Sequence, residues 1–250
     1  TYETSLYDEN GEQRKNFGLS DLFGVDWTGK SEGPMQNSYI RLEHEALPNS
    51  PFFAGMEKAP RIINGVSRLE VTPRGKFAET PFTLIPSYPD LPMEEVFPRV
   101  PRTNVSCLYL RRQGSGRVAY IPFDLDRTFW DVLCGDHLNM MRNTVQWATD
   151  EPAAIHVDGP GFVDVTVWRN PRSITVHLVN LTNAMTMKAP YRAFVPIGPQ
   201  TVTLTLPETA KATQARLLAA GTMVPVEHNG SAVTVKVPSI LDHEVVAIDV

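Results

Sequence analysis

Asp124 and Asp126 stand two residues apart in FDLDR, with Arg127 directly after them. A strand through this stretch would point both carboxylates to one face, because strand side chains alternate with period two. Paired carboxylates serve as general acid and base, and α/β sheets place ligands at the carboxyl ends of their strands. The same residues also suit a structural task, a cap and ion pair that turns the chain from strand to helix. Trp130 offers an aromatic face close by in sequence. Glu94-Glu95 is the second acidic pair; neighbours on a loop splay apart, so a solvated or interface role fits it better than a shared catalytic task. Glu94, Glu95, Asp124, Asp126, Arg127 and Trp130 are the candidate substrate-binding residues, and none of them is assigned a catalytic role.

Other chemistry is thin. The six histidines show no ligand spacing, so Asp136-His137 reads as a helix start and Asp242-His243-Glu244 as a turn. No metal site and no cofactor are expected. GxSxG, GxxxxGK[ST] and GxGxxG are absent, which removes the serine-hydrolase and nucleotide-binding motifs. Cys107 and Cys134 form no CxxC and sit in apolar stretches, as two buried free thiols. Trp27, Trp130, Trp147 and Trp168 could stack on a sugar ring, although a core role is the default; Trp147 fits a buried helix side and Trp168 an outward strand position. The Asn-x-Ser/Thr triplets at Asn104, Asn180 and Asn229 read as chance.

The elements that must position these groups follow from pattern. Residues 116–148 organise the chain as a strand, a polar turn and an amphipathic helix. Val118, Tyr120, Phe123 and Leu125 suit a buried strand. Leu133, Leu138, Met141, Val145 and Ala148 recur at helical spacing as one apolar stripe. Gly135-Asp136 starts that helix, and Glu151-Pro152 ends it because proline lacks a donor. A strand feeding a helix is the ending of an open α/β layer. Upstream, Leu22-Phe23 is a helical turn closed by Gly24, and strands are predicted at 39–42, 62–63, 69–71 and 82–86. The segment 87–102 carries Pro89, Pro92, Pro98 and Pro101, so it is an ordered irregular loop of the kind that forms interfaces. Past Pro152, Val163, Val165 and Val167, then Ile174, Val176 and Leu178, alternate with polar residues. Seven or eight such strands predict a β-sandwich, interrupted at 182–200 by a segment that wraps an edge or a neighbour. The expected fold is α/β followed by all-β, with domains at 1–152 and 153–250.

With 250 residues, 42% of them apolar and 20% charged, the chain can build two modest cores. Its net charge of −5 argues against a nucleic-acid partner, which would call for a basic excess. No apolar run is long enough to span a bilayer and no signal peptide opens the chain, so no membrane partner and a cytoplasmic location are expected. The opening Thr1-Tyr2-Glu3-Thr4 reads as the interior of a longer protein.

The stretches TYETSLYDENGEQRKNFGLSDLFGV, RIINGVSRLEV, SYPDLPMEEVFPR, GRVAYIPFDLDRTFW, VHLVNLTN and PSILDHEVVAID resemble bacterial glycoside-hydrolase-like proteins of the β-galactosidase type. In those proteins a (β/α)₈ barrel precedes a trimerisation domain of flavodoxin- or amidotransferase-like fold, then a small β-sandwich. The resemblance covers nearly the whole chain. It implies an N-terminally truncated trimerisation-type α/β layer plus the sandwich, with the barrel and its two catalytic carboxylates absent. The implied partners are the protein's own barrel domain, further copies of itself (a trimer fits the family) and carbohydrate through the parent enzyme. The implied role is non-catalytic, association and support of the barrel; a carbohydrate-binding module and an independent carboxylate-based hydrolase are the alternatives. No cysteine stands in a nucleophile turn, so amidotransferase chemistry does not carry over.

Overall fold

The computed structural model describes residues 1–182, 193–206 and 211–250. They fall into two compact units, Thr1–Glu151 and Pro152–Val250. The first mixes helices with small sheets; the second is an antiparallel β-sandwich.

The first unit opens with α1 (Ser20–Phe23) and β1 (Val25–Glu32), then β2 (Tyr39–Leu42), β3 (Arg61–Ile63) and β4 (Arg68–Pro73). It continues through β5 (Phe82–Ile85), β6 (Tyr109–Gln113) and β7 (Gly116–Tyr120) to α2 (Leu125–Val132) and α3 (Gly135–Thr149). β1 pairs with β4, β2 lies between β3 and β5, and β6 and β7 form a hairpin, every pairing antiparallel. Gly24 closes α1 in the left-handed region, at φ 69°, where its amide reaches the Ser20 carbonyl. One core gathers Phe52, Phe82, Phe123, Leu125 and Met140; a second gathers Leu6, Phe17, Phe23, Tyr109 and Tyr120. Tyr120 is stacked on Phe23 at 4.5 Å and donates its hydroxyl to the Tyr2 carbonyl at 2.8 Å.

Two details of the organising stretch differ from the sequence pattern. The strand ends at Tyr120, Phe123 makes only an isolated bridge to Arg68, and Leu125 already begins a helix. Pro122 has no amide to give the ladder, so pairing lapses there. The expected polar turn is itself α2, separated from α3 by Leu133 in the left-handed region. The buried side of α3 is also not the apolar stripe. His137, Met140, Asn143 and Thr144 face inward, whereas Leu138 is 48% and Val145 59% exposed. Each inward polar residue makes at least one hydrogen bond, although the buried His137 Nδ1 makes none. Asn143 donates to the carbonyls of Phe52 and Ala54 at 3.0 and 2.9 Å. Thr144 donates to Met140 at 2.7 Å, and the His137 Nε2 lies 2.9 Å from the Ile63 carbonyl. A satisfied polar side chain can be buried at little cost, which rotates the helix away from its hydropathy pattern.

The sandwich begins with β8 (Ile155–Asp158), β9 (Val163–Asn170) and β10 (Ser173–Asn180). After them come β11 (Gln200–Thr205), β12 (Gln214–Leu217) and β13 (Thr222–Val224). β14 (Glu227–Asn229), β15 (Ala232–Val237) and β16 (His243–Asp249) complete it. One sheet runs β13-β12-β16-β10-β9 and the other β14-β15-β11-β8. Ile174, Val176 and Leu178 meet Val202, Leu204, Val233, Val235, Val246 and Ile248 in the core. This is the alternation of inward apolar and outward polar residues expected of stacked sheets. Buried Asn180 ties the end of β10 to the carbonyls of Val195 and Leu241, at 2.8 and 2.7 Å. Buried Glu244 accepts from the amides of Ala219, Ala220 and Val245. Most of the 182–200 segment, with Met185 and Met187, lies outside the described residues.

Candidate functional site

Asp124 is buried at the start of α2. Its Oδ1 accepts from the Ser67 amide at 2.9 Å, its other oxygen accepts from Arg127, and Thr128 lies at 3.4 Å. A Cβ on Gly65 would come within 2.3 Å of Oδ1, so the loop before β4 closes on this carboxylate only because residue 65 is glycine. Asp124 therefore clamps the 65–67 loop to α2. Asp126 is exposed and accepts from the Thr1 hydroxyl at 3.0 Å. The two carboxylates do not share a face. On a helix, a step of two residues turns through about 200°, in contrast to a strand, where it restores the direction. Trp130, also on α2, is exposed.

Glu94 and Glu95 lie in a single 3₁₀ turn, Met93–Glu95, within the proline-rich loop. Glu95 pairs with Arg99. The conspicuous feature of this loop is apolar: Leu91 and Met93 are 72% and 76% exposed, and Phe97 and Val100 are exposed beside them. Of the other aromatics, Trp147 packs near Phe52 with Arg117 over its ring, whereas Trp168 on β9 is 62% exposed opposite Thr175. Cys107 is buried, and burial pushes its thiol up to about 12; Cys134, expected to be buried too, is half-buried at the first turn of α3. Among the described residues no three His, Cys, Asp or Glu side chains gather as a metal site. No helix among them is long and apolar enough to cross a membrane.

A polar cleft that sequence reasoning missed lies at the end of β2. Glu43 is 3% exposed. It accepts from the Thr83 hydroxyl and from Arg102, each at 2.6 Å, and the Arg41 Nε lies 3.5 Å away. A recess of about 330 Å³ opens above this group, bounded by Glu79, Thr80 and Asn104. Ala78 and Glu79 also line a second recess of about 310 Å³, bounded by Lys76, Arg111, Arg112 and Trp147. Glu43, Thr83 and Arg102 are 40 and 59 residues apart along the chain, so no local spacing announces them.

No family model matches this chain, and no curated protein matches it. Solved structures do. α-L-Fucosidase isoenzyme 2 from Paenibacillus thiaminolyticus aligns with 94% of this chain at TM-score 0.62 and 15% identity, using 34% of its own length. The fold is shared with glycoside hydrolases. A GH42 β-galactosidase from G. stearothermophilus aligns with 100% of the chain and 27% of its own, at TM-score 0.51 and 12% identity. A β-galactosidase from Bacillus circulans sp. alkalophilus covers 99% of the chain and 28% of its own, at TM-score 0.55 and 11% identity. The chain thus spans 27–34% of the length of these structures, and at such identities the likeness is one of fold.

Proposed function

We propose that this chain is a non-catalytic region of a larger glycoside-hydrolase-like protein, where it serves association and supports a catalytic barrel. One observation carries the reading. The match runs through 94–100% of this chain, yet takes up only 27–34% of each glycosidase. A block that recurs whole inside longer glycosidases fits an accessory role better than a self-contained enzyme. The trimerisation-type assignment of the first unit is part of this proposal, and the exposed Leu91, Met93, Phe97 and Val100 of the proline-rich loop are its contact surface. Apolar side chains clustered on one loop gain from being covered by a partner. An independent hydrolase using Asp124, Asp126 and Glu94 or Glu95 draws no support from the geometry, since Asp124, Asp126 and Glu95 are each held by a different partner and Glu94 is exposed on its loop. A carbohydrate-binding role has two exposed aromatics in its favour, Trp168 on the sandwich and Trp130 on α2.

Light scattering after gel filtration, on this chain and on a longer form carrying the catalytic barrel, tests the proposal. The longer form is expected to hydrolyse a chromogenic glycoside and to form a defined oligomer, with this chain alone inactive. Met93→Glu combined with Phe97→Glu is expected to weaken that oligomer or loosen the barrel to proteolysis. Glycoside hydrolysis by this chain alone, or a longer form indifferent to the double substitution, would overturn it.

A further inference from the structure

The double recess around Glu79 has a charge character opposite to that of the chain. The protein carries a net −5, yet Lys76, Arg111, Arg112 and Arg102 line the recess against Glu43 and Glu79. Glu43 is already matched by Arg102 and Arg41. Lys76 and Arg112 are exposed and have no hydrogen-bond or ion-pair partner among the described residues. Cations left uncompensated at one end of a cleft favour an anionic group there.

The other end asks for something different. Glu43 and Glu79 are acceptors, Arg102 and the Asn104 amide are donors, and Thr80 is both. Carboxylates and donors interleaved in this way match hydroxyl groups, which donate and accept at once, and they repel a ligand that is anionic throughout. Each recess falls within the size range of small-ligand pockets, from about 300 Å³ upward. We propose that the groove binds an acidic saccharide, with a uronate carboxylate on Lys76 and Arg112 and the hydroxyls of a neighbouring ring over the Glu43–Arg102 pair. Choosing a saccharide among anionic polyols rests on the glycoside-hydrolase reading; the charge pattern does not.

Isothermal titration of this chain with trigalacturonate tests the site, with galactobiose and inorganic phosphate as comparison probes. Trigalacturonate is expected to bind saturably, to weaken as salt is raised, and to bind more tightly than either comparison probe. Lys76→Ala combined with Arg112→Ala, both exposed positions that leave the core intact, is expected to weaken it about tenfold or more. Thr80→Val should weaken it at the hydroxyl end without altering the salt dependence. Absence of saturable trigalacturonate binding, unchanged binding by the double variant, or equal affinity for phosphate would each overturn the proposal. The last result would leave a bare anion site. Glycosidase activity and oligomer size do not enter this titration, so its failure and failure of the accessory-region reading are told apart.

Discussion

Asn143→Ala and Val145→Gln make opposite tests of the same helix. By hydropathy alone, Val145 belongs to the buried stripe of α3 and Asn143 to its wet side, so the valine substitution should be the damaging one. The structure reverses this. Asn143 holds the carbonyls of buried Phe52 and neighbouring Ala54, and so fastens α3 to the 3₁₀ turn Pro51–Phe53. Alanine removes two hydrogen bonds, each worth about 1 kcal/mol net, and leaves the Phe52 carbonyl unpaired at an extra cost of about 1 kcal/mol or more. The better helix propensity of alanine returns about 0.5 kcal/mol. The expected loss is about 2.5 kcal/mol. At a urea slope of about 2 kcal/mol/M, the midpoint of unfolding should fall by about 1.2 M. Val145 is 59% exposed, so glutamine there should change stability by no more than about 0.5 kcal/mol. Urea unfolding followed by tryptophan fluorescence suits the test, because Trp147 sits on the same helix against Phe52. A larger midpoint shift for Val145→Gln than for Asn143→Ala would refute the assigned face of α3.

Further outcomes follow from other buried groups. Burial holds His137 below the ordinary histidine value of 6.5, against the smaller opposing pull of the Ile63 carbonyl, Asp136 and Asp124. The unfolded chain then takes up a proton before the folded one does, so stability should fall as the pH drops below about 6.5. A His137→Gln variant should show a flatter profile between pH 5 and 7 by thermal melting. Glu43→Ala strands Arg41 and Arg102 and should cost about 2–3 kcal/mol, whereas Arg102→Ala, removing a half-exposed partner, should cost about 1 kcal/mol; equal losses in denaturant titration would argue against Glu43 as the centre of the cluster. Gly65→Ala should cost about 2 kcal/mol by displacing the Asp124 carboxylate from the Ser67 amide. A thiol reagent should modify Cys134 in the native state and reach Cys107 only on unfolding, and prompt reaction of both would contradict the burial of Cys107.

Much of the fold was legible from local chemistry. Tyr39-Ile40-Arg41-Leu42 is a strand over the predicted residues, Gly24 ends its helical turn, and Gly135 opens α3. The valine and isoleucine alternation after Pro152 gives a sandwich, since a period of two fixes which side of a strand is apolar whatever it later packs against. The glycoside-hydrolase likeness carried by long sequence stretches agrees with the fold found in solved glycosidases. Where a residue's neighbours lie close along the chain, its type and spacing were enough.

Tertiary structure decided the rest, and the physical reason is the same each time. Asp124 and Asp126 part company because the chain turns helical one residue earlier than their spacing could reveal, and Gly65, distant in sequence, admits one of them to the interior. His137 and Asn143 take the inward side of α3 in place of Leu138 and Val145 because the distant carbonyls of Ile63 and Phe52 partner them. The Glu43 cleft exists only where β2, β5 and the loop carrying Arg102 converge. Polar groups enter the interior when distant chain supplies their partners, and a linear pattern of hydropathy holds no record of that supply.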